Sequence, residues 1–255
     1  MRISYYLIDP TKNYTLLVET PVPPELQPEI ASTLMEVEPL AEQVGFISEG
    51  GDNSINLRMA GGEFCGNAAM SAALVHTLSN PDCRDVAVRF SGVDICVAVK
   101  IADDNGNVRG TVEMPEPLAI ERIALPLGAE LPVVFFPGIA HVITEHPMEK
   151  SVAEELAPVW CGYLVAEAMG IMFFDREKSK LTPLVYVPSS DTMFWENSCA
   201  SGTAALGYYL RFKKGGGIEA EITEPGGILK ISAEDMGALR LTGSVSVVYK
   251  RDAEI

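Results

Sequence analysis

Two of the five cysteines in this 255-residue chain stand in similar surroundings. Residues 63–69 read Glu-Phe-Cys-Gly-Asn-Ala-Ala, and residues 196–205 read Glu-Asn-Ser-Cys-Ala-Ser-Gly-Thr-Ala-Ala. Cys65 and Cys199 thus each follow a glutamate and precede a small, flexible run, and Gly66, Ala200, Ser201 and Gly202 let a ligand approach the backbone closely. Each run opens an apolar segment that reads as a helix, 67–78 in one case and 202–212 in the other. That places both thiols at a helix start, where backbone N–H groups lack intrahelical partners and the macrodipole is positive. A helix start favours the thiolate, and its free N–H groups can hold a carboxylate. Two such ends facing one amino acid would suit inversion at the α-carbon: one sulfur removes the proton, and the other returns one to the opposite face. A cysteine beside glycine is also an ordinary small buried hydrophobe, a reading that fits either cysteine alone better than it fits the matched pair. A disulfide between Cys65 and Cys199 would, in a reducing compartment, be an oxidised and inactive form rather than a staple.

The two predicted helices carry apolar residues nearly all round, and a helix without a wet face belongs inside a protein. Around them the sequence reads as many short strands bounded by turn residues, such as the Gly-Gly-Asp-Asn at 50–53 and the Asp-Asp-Asn-Gly-Asn at 103–107. A further amphipathic helix is expected at 30–37, and helical segments at 151–160 and 162–170. The proline-broken stretch 113–121, with Pro115 and Pro117, marks the joint between two halves of similar plan. The expected fold class is α+β, with an N-terminal half at 1–116 and a C-terminal half at 117–242.

The bulk properties exclude other classes. A net charge of −16 argues against nucleic-acid and anionic-membrane partners, which both require basic patches. The N-terminal residues contain no apolar signal region, and no apolar stretch is long enough to span a bilayer. Five scattered cysteines without a Cys-x-x-Cys pair read as free thiols in a reducing cytoplasm. With three histidines in all, no metal site is expected. Cys83, Cys96 and Cys161 are expected to serve packing.

The paired motifs identify a resemblance to the diaminopimelate epimerase superfamily, the cofactor-independent amino-acid racemases with two catalytic cysteines. Cys65-Gly66-Asn67-Ala68-Ala69 resembles the first cysteine motif of that family, and 199–205 resembles the second, with Ala200 in place of the usual glycine. The segment 138–142 resembles a Gly-Asn-Pro-His element and would put His141 near the site. Within the superfamily, the segments 42–47, 63–68, 195–199 and 201–204 look like those of the histidine racemases of the staphylopine metallophore pathway. The epimerases proper carry a His-Gly-Leu-Gly-Asn-Asp-Phe segment where this chain retains only Asn13, and a longer segment before the second cysteine. Those departures remove groups that would read the distal end of diaminopimelate.

The resemblance implies two pseudo-symmetric lobes, each a curved mixed sheet around a central helix, with the last strand, at about 243–255, completing the first lobe. It implies Cys65 and Cys199 as the acid/base pair, acting without a cofactor on a small amino acid, with L- and D-histidine favoured. It implies that Glu42 orients a thiol or the substrate and that Glu196 receives the substrate ammonium. Gly66, Asn67, Ala200, Ser201, Gly202 and Thr203 would line the carboxylate cradle, and Asn13, Gln43 and Glu63 would contact substrate. His141 could equally be a structural hydrogen-bonding residue. A homodimer is expected on the same likeness. Alternatives remain at this level: a diaminopimelate epimerase, a racemase of another amino acid, or a non-catalytic relative that binds a small metabolite. An isomerase of the phenazine-pathway type shares the fold but lacks the cysteine pair.

Overall fold

In the computed structural model, which describes residues 1–51, 53–235 and 237–255, the chain divides into two units: Met1–Glu113 with Thr242–Ile255, and Met114–Leu241. Asp52, in the turn expected at 50–53, lies outside the described residues.

The first unit runs β1 (Arg2–Pro10), β2 (Thr15–Val18), α1 (Gln27–Val37), β3 (Gln43–Glu49), β4 (Ser54–Met59), α2 (Gly66–Ser79), β5 (Asp85–Phe90), β6 (Ile95–Asp104) and β7 (Asn107–Glu113). Consecutive strands are neighbours. The C-terminal strand, Arg240–Glu254, lies between β7 and β1 and pairs with β1 from Arg2↔Glu254 to Pro10↔Val245, so the eight strands follow one another around a closed ring. Inside it stands α2, which packs against β1, β2, β4, β5, β6 and β7. Gly66 through Thr77 are all buried, as a sequence without a polar stripe requires. Helix and wall approach closely: a Cβ on Gly110 of β7 would lie 2.8 Å from Met70 Cγ. Each large side chain so buried contributes about 1.5–3 kcal/mol. The amphipathic α1 covers the other face of the first strands, with Ile30 and Leu34 packed on Ile3, Leu7, Leu16 and Val18.

The second unit runs β8 (Ala119–Ala124), β9 (Glu130–Phe136), β10 (Ile139–Thr144), α3 (Lys150–Leu164), β11 (Met169–Asp175), β12 (Lys180–Val187), β13 (Thr192–Trp195), α4 (Ala200–Lys214), β14 (Ile218–Glu224) and β15 (Gly227–Ala233); the C-terminal strand is β16. The order of pairings repeats. In the first unit β1–β2 is antiparallel, β2–β3 parallel across α1, β3–β4 antiparallel, β4–β5 parallel across α2, and β5–β6 antiparallel. In the second, β9–β10 is antiparallel, β10–β11 parallel across α3, β11–β12 antiparallel, β12–β14 parallel across α4, and β14–β15 antiparallel. A parallel pair needs a crossover long enough to hold a helix, so the pairings fix where the four helices fall.

Three elements differ from the sequence reading. The helix expected over 162–170 stops at Leu164. Val165 takes a left-handed φ of 53° and caps the carbonyls of Cys161 and Gly162, and Met169 already pairs with Ala140 in β11. The aromatic and branched run after it prefers the ladder. Strand β8 was not expected, because Glu121 and Arg122 are exposed on it and it lacks a clear apolar alternation. The last strand, expected at about 243–255, begins earlier: β16 runs from Arg240 to Glu254, with Gly243 inside it. Among the described residues, no helix is long and apolar enough to cross a membrane.

Candidate active site

In the first unit, Cys65 is the N-cap of α2, with extended φ/ψ of −136° and 113°, and its Sγ accepts the Ala68 N–H at 3.4 Å. On its other side the thiol donates to Gln43 Oε1 at 3.1 Å. The chain of hydrogen bonds continues. Gln43 Nε2 donates to Asn13 Oδ1 at 2.6 Å and to Thr15 Oγ at 2.7 Å, and Asn13 Nδ2 donates to Glu42 Oε2 at 2.7 Å. The parallel register of β2 and β3, with Thr15 opposite Gln43, brings these residues together, and the Glu42 N–H bonds to the Tyr14 carbonyl at 2.9 Å. Asn13 is 1% exposed. Four of the residues singled out in the sequence therefore form one buried-to-surface relay.

Gly66 and Asn67 form the first turn of α2, and Asn67 is buried. Glu63, two residues before Cys65, turns Oε2 into a buried place without a hydrogen-bond partner among the described residues, where a Cβ on Gly61 would collide with it. Burial pushes its carboxyl above the ordinary range, against the smaller pull of its own backbone N–H.

In the second unit, Cys199 is the N-cap of α4 and is 5% exposed. The segment that delivers it is pinned along its length. Trp195 stacks on Phe173 at 5.6 Å and donates to Glu154, the Glu196 N–H bonds to the Pro183 carbonyl at 3.1 Å, and the Gly226 N–H bonds to the Asn197 carbonyl at 2.7 Å. Ala200, Ser201, Gly202 and Thr203 make the first turn of α4 and are buried. Gly202 leaves room for the thiol: a Cβ there would collide with Met172 Sδ, which would have to shift, and come within 3.1 Å of Cys199 Sγ. Ser201 Oγ lies 3.7 Å from Cys199 Sγ and 3.0 Å from His141 Nε2. His141 stands in the middle of β10 at 0% exposure, and burial lowers its pKa to about 3, so the ring is neutral.

The electrostatics of Cys199 run against the simple helix-start expectation. Burial first, then the charges of Glu196 and Glu224, push its thiol well above the ordinary value. The Gly202 N–H pulls it back only in part. In this unit the desolvation of a buried thiolate outweighs the helix terminus.

Glu224 was not singled out in the sequence. It ends β14, is 3% exposed, accepts the Cys199 N–H on Oε2 at 2.7 Å and accepts the Thr203 hydroxyl on Oε1. Thr203, expected to face a ligand, is thus engaged by protein. Burial raises the Glu224 carboxyl to about 8, despite the lowering effect of those two donors. A signal was present: Glu224 lies two residues after the buried Ile222, on the inward face of an alternating strand. Of the other cysteines, Cys161 packs in the core and bonds to the Ala166 carbonyl, Cys83 is half-buried and bonds to the Asp85 carbonyl, and Cys96, expected to serve packing, is exposed. Among the described residues, no three His, Cys, Asp or Glu side chains are grouped as a metal site requires.

Comparison with known proteins gives the context of this arrangement. A histidine racemase of Fusobacterium nucleatum is 32% identical over 96% of this chain and 95% of its own length. A histidine racemase of Staphylococcus aureus is 28% identical over 91% of this chain and 89% of its own. Among solved structures, a predicted epimerase from Pseudomonas aeruginosa superposes with a TM-score of 0.74 at 11% identity, covering 99% of each chain. A hydroxyproline epimerase from Agrobacterium vitis does so with a TM-score of 0.70 at 10% identity, covering 98% of this chain and 92% of that one. At such identities the structural likeness speaks for the mixed α/β fold. The sequence also matches, over residues 2–253, the family described as the histidine racemase CntK N-terminal domain. On that match and the full-length relatives, the chain belongs to the histidine racemase CntK family.

Proposed function

We propose that this chain interconverts L- and D-histidine by two-base proton transfer, with Cys65 and Cys199 as the catalytic pair. The observation that carries the reading is that each unit seats a cysteine as the N-cap of its buried helix, in a chain whose full-length relatives are histidine racemases. One thiolate takes the α-proton, the C–H electron pair spreads onto the substrate carboxylate, and the opposite thiol delivers a proton to the other face. No net proton is consumed, and the two sulfurs exchange protonation states. The carboxylate charge that develops is met by backbone N–H groups at the starts of α2 and α4.

A group that alternates between acid and base must be supported in both forms. For Cys65, Gln43 Oε1 accepts from the thiol and the Ala68 N–H donates to the sulfur. For Cys199, burial with Glu196 and Glu224 supports the thiol, and the Gly202 N–H supports the thiolate. The repeated order of pairings further supports the view that the units are two pseudo-symmetric lobes, each a curved mixed sheet around a central helix.

The test is incubation of the purified chain with L-histidine in D₂O and no added cofactor. D-Histidine should appear with deuterium at the α-carbon. Cys65→Ser and Cys199→Ser should each abolish racemisation. Normal turnover by both variants would remove the two-base assignment, and absence of α-exchange with histidine would remove the substrate.

A further inference from the structure

We propose that Glu224 is a positioning residue for Cys199, holding its backbone at the helix start and biasing its sulfur to the protonated form. The proposal deepens the two-base reading and rests on it for its catalytic meaning. Its geometry is independent of the substrate. Glu224 joins the end of β14 to the first turn of α4 through both carboxyl oxygens, one on the Cys199 N–H at 2.7 Å and one on the Thr203 hydroxyl. An N-capping cysteine must turn its backbone out of the helix, and its own N–H then has no helical partner. Here a side chain from a separate strand takes that N–H, and the same side chain sits at 3% exposure. An uncharged amide would have satisfied the same two positions, offering one oxygen to the N–H and a nitrogen to the threonine oxygen. A carboxyl in that place adds what an amide lacks, an ionisable group: burial keeps it neutral up to about pH 8, and at the higher pH where the Cys199 thiol titrates its negative charge stands in a dry setting and repels the thiolate.

The groups acting on the Cys199 sulfur are few. Glu224 comes from β14, Glu196 from the segment between β13 and α4, the neutral His141 from β10 by way of Ser201, and the Gly202 N–H, which favours the thiolate, from the first turn of α4. Burial and the two carboxyls outweigh that N–H and favour the thiol. In a two-base cycle this makes Cys199 the resting proton donor, so the first turnover from an empty site begins with the proton on Cys199.

The thiolate ultraviolet absorbance, titrated against pH and corrected with Cys199→Ser, reports the Cys199 midpoint without any turnover. Glu224→Gln keeps the size and both hydrogen bonds and removes the charge. Its midpoint is expected to fall by about one pH unit or more, with circular dichroism unchanged. An unchanged midpoint in the folded variant overturns the charge bias. A second measurement needs no variant: in the native chain the Cys199 amide proton should exchange slowly with solvent and shift as Glu224 titrates. Free exchange of that amide overturns the positioning role. Neither readout uses histidine, so a failure of the substrate assignment and a failure of this proposal are separable.

Discussion

Cys65 Sγ faces Gln43 Oε1, not Nε2, and the orientation is set by Glu42 at the far end of a relay. A carboxylate accepts only, so Asn13 must turn its NH₂ toward Glu42 and present Oδ1 to Gln43. Gln43 must then spend its NH₂ on Asn13 and Thr15, which leaves Oε1 for the thiol. Gln43→Leu removes the acceptor and should lower kcat for histidine racemisation about tenfold, the worth of one hydrogen bond of about 1.4 kcal/mol. Glu42→Gln frees the relay to flip and should give a smaller loss. Chiral chromatography of histidine over time measures both. An unaltered kcat in Gln43→Leu means that the direction of the S–H bond is immaterial to the reaction.

His141 and Glu224 give opposite pH signatures. Burial lowers the His141 pKa from 6.5 to about 3, so the folded state binds fewer protons than the unfolded one across that range. Its contribution to stability is present above pH 6.5 and is lost as pH falls toward 3. Burial raises Glu224 from 4.5 to about 8, so its contribution is present below 4.5 and is lost as pH rises through 8. The two windows overlap between 4.5 and 6.5, where they offset each other. His141→Gln should expose the Glu224 slope. Relative to the native chain, the variant should gain stability as pH drops below 6.5, by up to about 1.4 kcal/mol per pH unit. Urea unfolding at a series of pH values reads the difference, and parallel curves would mean that His141 takes up its proton as readily in the folded state as in the unfolded one.

Much of this was legible in the residues because the two informative helices break the amphipathic rule. A helix such as α2, with Gly66 through Thr77 buried, can only be central, and its lack of a polar stripe is visible in one dimension. The N-cap positions of Cys65 and Cys199 follow from where those apolar runs begin. Glu224 escaped because its role depends on a strand end meeting a helix start 25 residues away in sequence; the alternation of β14 separates it from the exposed Glu219 and Glu221, but it does not reveal the partner. The electrostatics of Cys199 escaped for a related reason. Helix termini are readable from sequence, whereas the degree of desolvation that overrides them is set by packing.

Gly170 tests whether the placement of His141 matters to the chemistry. A Cβ added there would lie 2.5 Å from His141 Nδ1 and 2.6 Å from Met172 Cε, while the imidazole is fixed on its far side by Ser201. Gly170→Ala must therefore push the ring off the Ser201 hydroxyl or distort β11. Overpacking of this kind costs about 1–3 kcal/mol, which should appear as a lower thermal midpoint. If His141 orients Ser201 beside the Cys199 sulfur, kcat should fall while KM for histidine changes little. A variant that is destabilised but retains full kcat would assign His141 a purely structural role.

Glu38 should govern how firmly β16 is held to the first unit. It caps the C-terminus of α1 and is 6% exposed. Oε1 accepts the Tyr5 hydroxyl at 2.6 Å, Oε2 accepts the Tyr249 hydroxyl, and Arg251 Nη1 lies 3.6 Å away. One carboxylate thereby joins α1, β1 and β16. The register with Leu7 opposite Tyr249 and Tyr5 opposite Arg251 brings both β16 side chains to it. Burial raises both phenol pKa values, and Glu38 raises them further, so the hydroxyls remain donors at any working pH. Glu38→Ala leaves Tyr5, 3% exposed, with a hydroxyl that has lost its acceptor. An unsatisfied buried polar group costs about 1–3 kcal/mol, and the lost Tyr249 bond adds about 1 kcal/mol. Glu38→Gln retains one acceptor oxygen and should lose less than half as much. Because the interaction lies at one end of a strand, the loss should be local before it is global. Hydrogen exchange should show the amides of residues 249–254 losing protection in Glu38→Ala while those of α2 keep theirs. Uniform acceleration across both elements would mean that the cluster acts on the whole unit and that β16 is held mainly by its backbone ladder.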